Sequence, residues 1–262
     1  MAKTVQIGAR LVGQEQSSYI AAEIGINHNG DLNLAMKLID AAVQAGVDAA
    51  KFQRRTPEVC VPREQWDIKR ETPWGLITYL EYRHRIEFDP GAYTEIDRYC
   101  SEKGFAGFAS SWDEPSVVFV EQFNQVCYKI PSAALTDDEL LKYTAAKGRP
   151  LIISTGMSTM KAIRRAVSLF DQKELIVCHS TGAYPCRPAE RTCVSSIPCG
   201  ESSTARSDIL DTTSDSLPRT RQSFSPPVSR SATSHLIGQC GEPIRAPRWS
   251  RTALSASCAT FV

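Results

Sequence analysis

From residue 19 onward, short apolar runs alternate with stretches in which apolar residues recur every three or four positions. Tyr19 to Ile24 has the length and β-branched content of a buried strand. The polar turn Asn27 to Asp31 follows, and Leu34, Leu38, Ala41, Ala42 and Ala45 then share one helical face that ends at Gly46. Asp31 is the expected cap of that helix. The alternation repeats with strands at Val47 to Gln53, Phe105 to Ser110, Val126 to Ile130, Leu151 to Ser154 and Leu175 to His179. Helices fall between them at about Pro90 to Lys103, from Asp113 and Pro115, at Thr136 to Lys147, and from Ser158 to about Phe170. Thr136 with Glu139 reads as a capping box. Residues 54 to 87, with three prolines and the aromatics Trp66, Trp74, Tyr79 and Tyr82, break the rhythm as a long insertion of the kind that often carries function.

Six strand–helix units at this spacing predict parallel strands with crossover helices. The candidates are an open doubly wound sheet and a (β/α)8 TIM barrel of which six units are recognisable. No Gly-x-Gly-x-x-Gly follows the first strand, which disfavours the dinucleotide-binding sheet. The polar interruptions favour the barrel. Glu23, Lys51, Gln53, Ser110, Lys129, Ser154, Thr155, His179 and Ser180 fall at or near the carboxyl ends of successive strands, the active-site face of a barrel.

The pattern stops near residue 187. Residues 188–262 hold 15 Ser, 8 Thr, 8 Arg and 7 Pro but no Lys, Tyr or Met, so the chain divides into a barrel-type domain, 1–187, and a compositionally different segment, 188–262. A disordered tail and a coding region read in a shifted frame both explain that change. With two strands missing, the edges of the first and sixth strands are expected to be unpaired unless the tail or a partner covers them.

Composition narrows the partners. A net charge of +1 gives no electrostatic footprint for nucleic acid or an anionic membrane, so an anionic ligand has to be met locally. No apolar run approaches a membrane span or a signal peptide, which points to the cytoplasm. Nine cysteines without paired metal spacing read as reduced thiols.

Lys51 and Lys129, converging with Ser110, Ser132 and Ser154, suit a phosphate or phosphoenol group, with a Schiff-base lysine as the enzymatic rival. Glu23 is a candidate acid or base, or else the salt-bridge partner of Lys51 on the next strand. His28 and His179 lack a second ligand at metal spacing, so no metal is assigned to them. Tyr184 either lines the pocket or packs on Pro185.

Five ordered motifs, Ile-Ala-Ala-Glu-Ile-Gly-Ile-Asn-His-Asn-Gly, Ala-Ala-Lys-Phe-Gln, Tyr-Lys-Ile-Pro-Ser, Ile-Ser-Thr-Gly-Met and Cys-His-Ser-Thr-Gly-Ala-Tyr-Pro, resemble the N-acetylneuraminate (sialic acid) synthase family over about residues 15–187. The resemblance implies a TIM-barrel transferase that condenses phosphoenolpyruvate with N-acetylmannosamine or a related amino-sugar aldehyde, giving a nonulosonic acid and phosphate. A related 3-deoxy sugar acid as product is a second enzymatic reading, and a catalytically inactive, truncated barrel is a third. By motif, Lys51, Ser110, Lys129, Ser132 and Ser154 would hold phosphoenolpyruvate, while Glu23, Gln53 and Tyr184 would meet the sugar. The resemblance also implies a divalent Mn2+ or Mg2+ ion and a homodimer. Its two metal-ligand histidines, in Gly-Tyr-Ser-x-His and Glu-Arg-His segments, have no counterpart here; His235 is a poor substitute. Also absent is the antifreeze-like domain that commonly follows the barrel.

Overall fold

The computed structural model describes residues 4–13, 16–170 and 174–180, together with the backbone of three further strands at 206–210, 232–233 and 257–261. Strands β1 (Thr4–Ile7) and β2 (Arg10–Gly13) form an antiparallel hairpin. Then come β3 (Tyr19–Gly25), α1 (Leu32–Gln44) and β4 (Ala49–Arg54). The insertion folds as a short helix α2 (Pro57–Cys60), an antiparallel hairpin β5 (Lys69–Thr72) and β6 (Gly75–Thr78), and helix α3 (Tyr79–Ile86). The alternation resumes with α4 (Pro90–Glu102), β7 (Ala106–Ser111), α5 (Glu114–Glu121), β8 (Tyr128–Ile130), α6 (Asp138–Ala145), β9 (Leu151–Ser154), α7 (Met160–Ser168) and β10 (Leu175–Ser180). Three strands, β11 (Arg206–Leu210), β12 (Ala232–Thr233) and β13 (Ser257–Phe261), complete the series.

The six expected strands stand side by side in the order β3-β4-β7-β8-β9-β10, all parallel. They form the greater part of a barrel wall, in agreement with an incomplete TIM barrel. The expected bare edges are covered. β11 adds in parallel to β10, β13 pairs antiparallel with β3, and β12 lies outside β13. The rest of 188–262 lies outside the described residues, and with it His235.

Local chemistry accounts for the helices. Asp31 accepts hydrogen bonds from the backbone N–H of Asn33 and Leu34, and α1 buries Ala35, Leu38, Ile39 and Ala42 at the i, i+3, i+4, i+7 spacing of one face. The cap of α6 is Asp137, whose carboxylate accepts from Leu140 N–H, rather than Thr136. Either oxygen-bearing side chain suits the role, and an Asp also brings negative charge to the positive helix end. Gly30 has φ +72 and lies so close to Arg85 that a Cβ would stand 2.1 Å from its carbonyl oxygen; α3 therefore docks where only glycine fits.

The core has two layers. Outward strand residues, Ile24, Ala50, Phe52, Ala109, Tyr128, Ile130, Ile153 and Val177, pack against the helices. Inward residues, Tyr19, Ala21, Ala49, Phe108, Cys127, Ile152, Ile176 and Cys178, pack with Val5, Ile7 and Val12 of the β1–β2 hairpin. The hairpin thus fills the amino-terminal half of the interior. Alternation along each strand then dictates what faces inward at the other half.

Candidate active site at the carboxyl ends of the strands

On five strands a polar residue stands two positions beyond an inward apolar one. Glu23 follows Ala21, Lys51 follows Ala49, Ser110 follows Phe108, Lys129 follows Cys127 and Ser154 follows Ile152, so all five share the inward face; Gln53 is one step further along β4. Strand register brings them together. Glu23 is opposite Lys51, Gln53 opposite Ser110, and Ser110 opposite Lys129.

The Lys51 ammonium donates to both Glu23 oxygens at 2.7 Å, so the salt-bridge alternative for Glu23 is realised here. The pair sits at the irregularity where the register shifts between Glu23 and Gly25. Gly25 has φ +57, and a Cβ there would stand 2.9 Å from Glu23 Oε1 and 3.2 Å from Gln53 Nε2; glycine lets the two side chains approach the backbone.

Lys129 is different. Its Nζ donates to Ser154 Oγ at 2.9 Å, a hydroxyl in place of a carboxylate. Burial, and next the nearby Lys51 charge, push its pKa down to about 8, with Glu23 acting in the opposite direction. Since Ser154 accepts that bond, its own O–H remains available as a donor. Ser132 is in the same position: its Oγ accepts the Gly156 N–H at 2.9 Å. Ser110 makes a long 3.4 Å contact to Phe52 O. Two ammonium groups and three hydroxyls thus line one buried face against a single carboxylate, an arrangement suited to an oxyanion.

His28 is 2% exposed, stacks on Phe88 at 4.0 Å between ring centroids, and accepts the Gly30 N–H through Nδ1 at 3.1 Å. Burial lowers its pKa to about 4, so it is a neutral packing residue. His179 is partly buried at the end of β10. Tyr184 lies outside the described residues. No group of three His, Cys, Asp or Glu side chains stands together among the described residues, and both Glu23 oxygens are taken by Lys51, so these residues do not fit the divalent ion that the motifs imply. No helix among them is long and apolar enough to cross a membrane.

One part of the mouth was not foreseen. Arg54 and Arg55, just past Gln53, meet the insertion at Glu87, with N···O separations of 3.4 and 3.7 Å. Arg55 Nη2 donates to Gln53 Oε1 at 2.6 Å. Two consecutive arginines directly after a lysine-bearing strand were the signal in the sequence, though their partner Glu87 is supplied only by the fold of the insertion.

A parallel α/β barrel wall with a lysine- and serine-lined site at the carboxyl ends of its strands defines the class of TIM-barrel enzymes. Within that class, the NeuB family model matches residues 38–199, and the chain belongs to the NeuB family. It is 35% identical over 185 residues to the N-acetylneuraminate-9-phosphate synthase of Homo sapiens, covering 69% of this chain and 51% of that protein. It is 31% identical over 189 residues to the N,N'-diacetyllegionaminic acid synthase of Legionella pneumophila, covering 68% of this chain and 52% of that protein. Among solved structures, the N-acetylneuraminic acid synthetase of Leptospira borgpetersenii superposes with a TM-score of 0.71 at 24% identity, over 82% of this chain and 72% of that one, a likeness of fold. The chain spans about half the length of the curated relatives it matches.

Proposed function

We propose that this barrel binds phosphoenolpyruvate through Lys51, Lys129, Ser110, Ser132 and Ser154, and that its reaction is the condensation of that enol with an N-acetylmannosamine-type aldose. The products are a nonulosonic acid and phosphate. The observation that carries the reading is Lys129: a fully buried ammonium held by a hydroxyl, with its nearest carboxylate already committed to Lys51. An uncompensated buried charge is costly unless a ligand completes it, and a phosphate does so. On this reading Glu23 and Gln53 face the sugar, with Glu23 as the candidate acid or base, and Tyr184 joins them. The names of the relatives cover sialic and legionaminic acid synthases, so the particular aldose is the open variable.

The Mn2+ or Mg2+ of the resemblance would need ligands beyond the described residues. The missing Gly-Tyr-Ser-x-His and Glu-Arg-His motifs favour a second reading, a barrel that binds phosphoenolpyruvate without turning it over. Phosphate release from phosphoenolpyruvate plus N-acetylmannosamine with Mn2+, measured beside phosphoenolpyruvate binding by calorimetry, separates the two. Binding with turnover supports the synthase, binding alone supports the inactive barrel, and absence of binding defeats both.

A further inference from the structure

Lys129 differs from other lysines of the chain in what surrounds its amine. Lys51 has its N–H groups on both Glu23 oxygens at 2.7 Å. At the surface, Lys103 and Lys147 bind Asp40 and Glu121 at 2.8 Å, and those hydrogen bonds hold their pKa above the ordinary value. Lys129 is 5% exposed, donates to the Ser154 hydroxyl and makes no ion pair among the described residues. The titratable groups that act on it are Lys51 from β4, Glu23 from β3, Cys178 from β10 and Cys127 just before its own strand. Burial, followed by Lys51, lowers its pKa to about 8, so at pH 7 roughly a tenth of it is free amine, against roughly 0.03% for a lysine at the ordinary 10.5. Burial keeps the Cys127 thiol protonated, which leaves the amine as the nucleophile of this layer.

Beside this amine stands a corner of hydroxyls. Ser180 is two residues beyond the inward Cys178, and Cys178 is opposite Ser154 in the register of β9 and β10. A Cβ on Gly156 would stand 3.0 Å from Ser132 Oγ and 3.3 Å from Ser180 Cβ, so the two serines flank the Gly156 backbone. Ser132 and Ser154 each accept one hydrogen bond, from Gly156 N–H and from Lys129, and keep their O–H as donors. Ser180 Oγ is buried with no hydrogen-bond partner among the described residues. Three hydroxyl donors that lack an acceptor thus border an amine that is partly neutral at physiological pH.

We propose that Lys129 is a carbonyl-capturing amine, which forms a reversible imine with the keto carbon of a 2-oxo acid whose carboxylate accepts from the Ser132, Ser154 and Ser180 hydroxyls. A desolvated lysine beside a second cation is the arrangement that activates an amine toward carbonyl carbon. The neutral Nζ attacks the keto carbon and a C–N bond forms, while the carbonyl π pair moves to oxygen. The two amine protons then leave with that oxygen as water, and a C=N bond remains; Ser154 Oγ, 2.9 Å from Nζ, is placed to relay them. A 2-oxo acid suits the corner because its anion is one bond from the reacting carbon, so hydroxyl donors next to the amine meet both groups at once. The capture needs only Lys129 and its surroundings, and it stands whether or not phosphoenolpyruvate is turned over.

The test incubates the full chain with pyruvate and cyanoborohydride, which reduces an imine to a stable amine, and maps the adducts by peptide mass spectrometry. At pH 7 Lys129 should label on the order of 100-fold faster than Lys103 or Lys147. All three sites share the reductant, so the ratio of rates reports the amines alone; it should shrink by up to about tenfold per unit as pH rises above 8. Measured against the surface lysines, pyruvate should favour Lys129 more than acetaldehyde does. Ser180→Ala should narrow that preference several-fold, Ser180→Thr, which keeps the hydroxyl, should retain it, and thermal melts check that each variant is folded. Equal labelling of Lys129 and the surface lysines in folded protein, or a ratio that stays constant from pH 7 to 10, overturns the proposal. A Lys129 adduct with no preference for pyruvate over acetaldehyde overturns the assignment to 2-oxo acids. Protection by phosphoenolpyruvate supports a shared site, whereas labelling that saturating phosphoenolpyruvate leaves unchanged sustains the capture and defeats the phosphoenolpyruvate reading.

Discussion

The two ends of the sheet interior are built from the same strands on the same inward face, yet they are opposites. At the amino end Ala21, Ala49, Phe108, Cys127 and Ile152 close against Val5, Ile7 and Val12 of the hairpin. Two residues on, the same strands present Glu23, Lys51, Ser110, Lys129 and Ser154. The first set gains its free energy from burial and close packing. The second set spends stability to keep charge out of water, which a fold tolerates where a ligand repays it. One end therefore holds the barrel together while the other is held by it.

The sharpest break of that comparison is Phe108→Ala. The ring is 1% exposed, and its loss should destabilise the chain by about 3–5 kcal/mol in urea titrations. The folded fraction should bind phosphoenolpyruvate as before. A large loss of affinity without loss of stability would mean that the two ends are not separable. Next comes Lys129→Met, which replaces a buried ammonium by an apolar chain of similar length. It should weaken phosphoenolpyruvate binding on the order of 100-fold and leave stability equal or higher. A stability loss would make Lys129 a structural residue. Smaller again is Glu23→Gln. It strips the Lys51 ammonium of its counterion, and because Glu23 is 18% exposed the cost should be about 2 kcal/mol. Phosphoenolpyruvate affinity should rise a few-fold, since Glu23 no longer competes for Lys51; a fall would give Glu23 a direct part in holding the ligand.

The polar end was legible in the sequence because a charge inside an apolar strand is anomalous wherever it occurs, and Glu23, Lys51 and Lys129 each break such a run. Period-two alternation then assigns them all to one face. The amino end was not legible. Residues 4–13 are too short and too mixed to announce a hairpin, and what they plug is known only once the strands are assembled. The same holds for Arg55 and Glu87, which are 32 residues apart and meet only because α3 returns over β4. The cap at Asp137 against Thr136 is a finer failure, since adjacent residues with equal capping ability leave the choice to the approach of the preceding loop.

The pH dependence of Lys129 draws the two ends apart most finely. Its pKa in the folded chain is about 8, below its ordinary value of 10.5. Between those values the unfolded chain holds a proton that the folded chain has released, so this group makes stability rise with pH, by up to about 1.4 kcal/mol per unit. Below about 8 both states are protonated and the contribution is flat. Phosphoenolpyruvate, on the proposed reading, needs the ammonium form, so its affinity should fall up to about tenfold per unit above pH 8 while stability climbs. The two trends have opposite signs only if the same buried proton serves the ligand and burdens the fold. Lys129→Met should flatten both in urea and calorimetric titrations from pH 7 to 10. Trends that persist in that variant would assign them to another group.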